Sequence, residues 1–138
     1  MLKNLIFVCA LSFCAQGFGK GINAQSNIIQ IDGHPLHIAT WGQQDNNEAT
    51  IVLLSGPIDS LFSDSAWWAT LGPKLAKTHR VIAIDRAGIA TQEDNAQVGY
   101  QHFAKDIHFA LDALHVKNAT IVAFSSSNIA LQFYLASQ

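Results

Sequence analysis

Beyond residue 14 the chain has no cysteine: Cys9 and Cys14 are its only two. Whatever folds downstream of them is therefore built without a disulfide or a cysteine metal site. Charge is sparse, at 13% of residues, and the eight Lys and Arg are scattered. A net charge of −2 without a basic cluster argues against nucleic acid as a partner. No Gly-x-Gly-x-x-Gly follows any candidate strand, and no Walker loop occurs, so dinucleotide and phosphate-loop chemistry are excluded. No apolar run approaches the roughly 20 residues that span a bilayer.

The N-terminus carries a lysine at position 3, then apolar residues from Leu5 to Ala15, then small residues at Ala15, Gly17 and Ala24. This pattern is that of a secretory signal peptide, residues 1–24, with cleavage after Gly17 or Ala24. The expectation is a secreted or periplasmic protein that leaves the membrane once cleaved. Loss of Lys3 and Lys20 takes Lys plus Arg from eight to six against ten Asp and Glu, a charge of −4 for residues 25–138.

The remaining chain, 25–138, reads as one α/β domain. Residues 27–42 alternate apolar and polar about Asp32-Gly33, which predicts a β-hairpin. Three short runs, Thr50–Leu54, Val81–Ile84 and Thr120–Phe124, are rich in Ile, Val and Leu without alternation, as strands buried on both faces are. Helical spacing fills the gaps. Ser65–Thr78 carries Trp67, Trp68, Leu71 and Leu75, with a break at Gly72-Pro73 and a restart there. Tyr100–Val116 has an apolar stripe of Phe103, Ile107, Ala110, Leu111 and Leu114, opposite a polar face of His102, Lys105, Asp106, His108 and Asp112. A third helix begins near Ser126. The order is a hairpin followed by βαβαβα, which predicts a mainly parallel sheet with helices on both faces.

Sites in open α/β sheets lie at the carboxyl ends of strands. Three segments qualify: Ser55–Asp64, Asp85–Asn95 and Ser125–Asn128. Asp59 and Asp64 lack histidine companions, so turn and cap roles are favoured over a metal. Trp67 and Trp68 can line a pocket, with at least one in the core.

From about Ile28 to Gln138 the order of pieces resembles the α/β-hydrolase fold family. LLSG, Leu53–Gly56, stands where that family has a strand ending in His-Gly. LGPKLAKTHRVIAIDRAG, with Asp85 and Gly88, resembles its segment around the second parallel strand. AFSSS, Ala123–Ser127, stands where Gly-x-Ser-x-Gly belongs. The resemblance implies a serine hydrolase cleaving an ester or amide-type bond of a small molecule without a cofactor. It makes Ser125 the nucleophile position, Ser126 N–H one oxyanion donor, and Ile58 N–H a possible second, because Pro57 has no N–H. The competing reading of the serines is that they cap a helix.

The family's acid and histidine follow the elbow helix, and nothing in this chain matches them. His34 and His37 lie on the hairpin, His79 and His115 at the opposite end of the sheet, His102 and His108 on a helix face; none is placed to serve Ser125. Asp85 is expected to brace the loop that follows it. The expectation is thus an N-terminal fragment of a serine hydrolase, inactive as it stands; a non-catalytic α/β-hydrolase-like binding domain is the alternative. The strand 120–124 would then be a sheet edge prone to self-association.

Overall fold

The computed structural model describes residues 23–43, 48–56, 63–91 and 97–138. Residues 1–22, with both cysteines, and Pro57, Ile58 and Asp59 lie outside the described residues, so the signal-peptide expectation has no structural account.

The alternating segment folds as strands β1 (Gln25–Ile31) and β2 (His34–Trp41), paired antiparallel. Asp32 and Gly33 both take positive φ, 40° and 84°, which closes a two-residue turn whose twist matches the strands. Strands β3 (Thr50–Leu54), β4 (Val81–Ile84) and β5 (Ala119–Ala123) are the three apolar runs. The sheet order is β1-β2-β4-β3-β5, antiparallel from β1 to β4 and parallel across β4, β3 and β5.

Helices cover both faces. On one side a 3₁₀ helix, Asp64–Trp68, is followed by the short helix α1 (Gly72–Leu75), with Pro73 in its first turn. The break falls where the sequence placed it. Gly72 is required there, since a Cβ would come within 2.8 Å of the Trp41 ring. This side buries Ala39, Trp41, Leu53, Trp68 and Ala83. On the other side α2 (Tyr100–Ala113) and α3 (Ser127–Ala136) pack on Leu36, Ile38, Val52, Leu54, Ile82 and Ile84. The predicted stripe of α2 faces that core through Phe103, Ile107, Ala110 and Leu111.

Three expectations need correction. Helix α2 ends at Ala113, earlier than Val116, because His115 takes a φ of 54°. His115 N–H then donates to Asp112 O and Val116 N–H to Leu111 O, the paired bonds of a Schellman stop. Asp106, assigned to the polar face, is 4% exposed. The hairpin end of the sheet overhangs that part of α2 and sets His34 Nε2 3.2 Å from its carboxylate, close enough for an ion pair though not aligned for a hydrogen bond. Lastly, β5 is not buried on both faces. Among the described residues it is the last strand of the sheet, and Val122 is 40% exposed.

Candidate functional site

β5 runs into α3 through Phe124, Ser125 and Ser126. Ser125 has a φ of 59°, a left-handed conformation that costs a residue with a Cβ about 1–2 kcal/mol. Ser126 returns to helical dihedrals, and α3 begins at once. The sharp turn leaves Ser125 exposed at the carboxyl edge of the parallel strands. The small residues flanking it make the turn possible. Ala123 is one. Ser127, 2% exposed, is the other, and its hydroxyl sits 2.7 Å from Phe124 O and 3.0 Å from Leu54 O.

These bonds bear on the capping reading of the serine run. Ser126 occupies the N-cap of α3 without a side-chain capping bond, and Ser127 bonds backward to strand carbonyls. In the first turn, main-chain carbonyls take two of the amides: Asn128 N–H donates to Ser125 O, and Ile129 N–H to Ser126 O. A capping role does not account for the serines.

Beyond the strands, the ends of β3 and β5 stay zipped together. Phe124 N–H donates to Leu54 O at 2.8 Å, and Gly56 N–H to Phe124 O at 3.1 Å. This draws Gly56 against the turn so closely that a Cβ there would lie 2.6 Å from Ser126 Oγ and 3.1 Å from Ser126 N. Among the described residues the Ser126 amide donates to no carbonyl, and Ser126 Oγ is buried without a partner. Ser55, at the position where the family has histidine, is 1% exposed and ties the Asp64 carbonyl at 2.8 Å. Its role is loop support. Pro57 and Ile58 fall outside the described residues, so the second oxyanion donor has no structural account.

A cavity of about 170 Å³ opens beside the turn, lined by Gly56, Ala87, Tyr100, Phe103, Asp106 and Ser126 among others. On the opposite side of the turn, Trp67 stacks on Phe124 with centroids 5.1 Å apart, and Trp68 meets the same ring edge-on. Trp68 is core and Trp67 is 46% exposed, the division that helical spacing suggested.

Two buried carboxylates hold the neighbouring loops. Asp64 takes Arg86 in a two-pronged ion pair, Nε to Oδ2 at 2.8 Å and the guanidinium NH₂ to Oδ1 at 3.0 Å, and also accepts the Arg86 amide. Asp85 does not brace the loop after it, contrary to expectation. Its Oδ1 accepts the Ser65 amide at 2.7 Å, and its Oδ2 lies 2.9 Å from His37 Nδ1. Its side chain points across the sheet toward β2 and the 3₁₀ helix, leaving Asp64 to secure the loop after β4 through Arg86. Burial pushes the Asp85 carboxyl above its ordinary range, opposed by His37 and the Ser65 bonds. Burial also raises Asp106, opposed by His34 and His102.

Among the described residues no histidine is hydrogen-bonded to Ser125. His34 is spent on Asp106, His37 on Asp85 and Ser26, and His79 on Glu48 and Thr78. Nor do the described residues contain a cluster that could hold a metal ion.

No protein-family model and no curated protein matches the chain. Solved structures do. The Cif epoxide hydrolase from Acinetobacter nosocomialis superposes with a TM-score of 0.65 and 22% identity over 88% of this chain and 36% of its own. The 1H-3-hydroxy-4-oxoquinoline 2,4-dioxygenase gives 0.66 and 23% over 81% and 41%. An alpha/beta hydrolase fold protein from Burkholderia ambifaria gives 0.62 and 25% over 76% and 36%. The chain thus has the α/β-hydrolase fold, and it spans well under half the length of these structures.

Proposed function

We propose that this chain is the nucleophile-bearing part of an α/β-hydrolase-fold serine hydrolase, exported from the cytoplasm by its N-terminal segment, that cleaves an ester or amide-type bond of a small molecule. One observation carries the reading: Ser125 stands at positive φ on a strand-to-helix turn, with the next amide unengaged among the described residues and Gly56 pressed against it. That is the geometry in which a serine hydroxyl is presented above a sheet, and a carbonyl oxygen attacked by it would fall toward the Ser126 amide. The N-terminus of α3 adds its positive dipole end to the charge that develops there.

Within these residues Ser125 has a place but no base. Its hydroxyl is a weak nucleophile at its own pKa and needs one within about 2.6–3.2 Å. The cavity beside the turn is mostly apolar and suits a small organic group. The neighbours above include an epoxide hydrolase and a dioxygenase, so the fold does not choose the reaction.

The test supplies the missing base. Imidazole is expected to raise hydrolysis of an aryl ester above the sum of the rates with protein alone and with imidazole alone, and Ser125→Ala is expected to abolish that increment. Equal rates with and without Ser125 would instead favour a non-catalytic binding domain on the same fold.

A further inference from the structure

On the other side of the sheet from α2, a second serine sits in a different hydrogen-bond chain. Ser26 Oγ lies 2.6 Å from His37 Nε2, and His37 Nδ1 lies 2.9 Å from Asp85 Oδ2. The other oxygen of Asp85 is fixed by the Ser65 amide. The side chain of Asp85 is fully buried, that of His37 is 11% exposed, and Ser26 is exposed on the edge strand β1.

Strand register builds this chain. Ile28 faces His37 across the hairpin, so Ser26 is the diagonal neighbour two residues along on the same face. Asp85 follows β4 directly, and its amide donates to His37 O at 3.1 Å, which fixes the histidine's backbone to the carboxylate.

The polarity follows from the acceptor. A carboxylate can only accept, so Nδ1 carries the proton and Nε2 presents its lone pair. The Ser26 hydroxyl must then donate to Nε2. A serine donating to Nε2, and Nδ1–H donating to a buried carboxylate, is the arrangement in which a hydroxyl is activated for attack.

We propose that Ser26 is a second nucleophile, independent of Ser125, which accepts acyl or phosphonyl groups from activated donors. Ser26 Oγ attacks the carbonyl carbon of an aryl ester as its proton passes to His37 Nε2. The bond to the aryl oxygen breaks, and the leaving phenolate takes the proton from the imidazolium. Water, deprotonated by the same nitrogen, then releases the carboxylic acid and restores Ser26. Asp85 is a positioning residue that holds the tautomer. The described residues around Ser26 form no oxyanion site, so the chain is restricted to donors with good leaving groups, such as aryl esters and fluorophosphonates.

The full chain is treated with a fluorophosphonate without imidazole, and the adduct is located by peptide mass spectrometry. It is expected on Ser26 and not on Ser125, unchanged in Ser125→Ala. It is expected to slow at least about 100-fold in His37→Gln, the scale of general-base catalysis. No adduct at Ser26 in the unsubstituted chain, or an unchanged rate in a folded His37→Gln, would each overturn the proposal. None of these outcomes bears on Ser125, whose test depends on added imidazole.

Discussion

His115 holds the αL position of a Schellman stop, where glycine is the usual residue. Relief of that strain outweighs the added freedom of glycine in the unfolded chain, so His115→Gly is expected to raise stability by about 0.5–1 kcal/mol in urea unfolding. Gly56 gives the opposite case. Gly56→Ala places a methyl group against Ser126 and is expected to cost about 1–3 kcal/mol, as overpacking does. Asp106 links residue chemistry to pH. Burial raises its pKa against the pull of His34 and His102, with Asp32 adding to the rise. The folded state then binds more protons than the unfolded chain above about pH 4, so this contribution is present at low pH and is lost as pH rises through the raised value. Asp106→Asn should flatten the fall of unfolding free energy across that window, though Asp85 leaves part of it. An unchanged slope would show that Asp106 is not the group involved. Neither Asp106's burial nor the Ser26–His37 bond was legible in the sequence. Each depends on what the sheet sets beside a residue, and periodicity within one segment carries no such information.

At the scale of elements, the sequence was legible where the local pattern alone fixed the outcome. The hairpin announced itself through Asp32-Gly33, and β3 and β4 are buried as their unbroken apolar runs implied. The break before α1 was readable from Gly72-Pro73. The same rule misread β5, because its composition reports the surroundings such a strand is built for, and among the described residues nothing pairs with its outer edge. Val122, Phe124, Ile129, Phe133 and Leu135 are each at least 40% exposed along β5 and α3. An apolar edge without charge or proline pairs readily with another copy. The chain is expected to self-associate with rising concentration in sedimentation velocity, and Val122→Lys to shift it toward monomer. A monomer at all concentrations would count against this.

For the whole molecule, the hydrolase-like order of pieces was readable from the sequence, and the candidate site was readable only in outline. Ser125 could be placed by position, but its backbone conformation, the tight approach of Gly56 and the unengaged Ser126 amide come from the meeting of two loops distant in sequence. The proposed function requires that this meeting make position 125 a nucleophile's position. Ser125→Cys tests it without a base, because a thiol ionises by itself. The turn and the start of α3 should lower its pKa below the ordinary value of about 8.5. The measurement is the pH dependence of iodoacetamide alkylation at residue 125, followed by peptide mass spectrometry to separate it from Cys9 and Cys14. A midpoint below 8.5 with ready alkylation is the predicted result; a thiol that titrates at or above that value, or stays unreactive, would contradict the account.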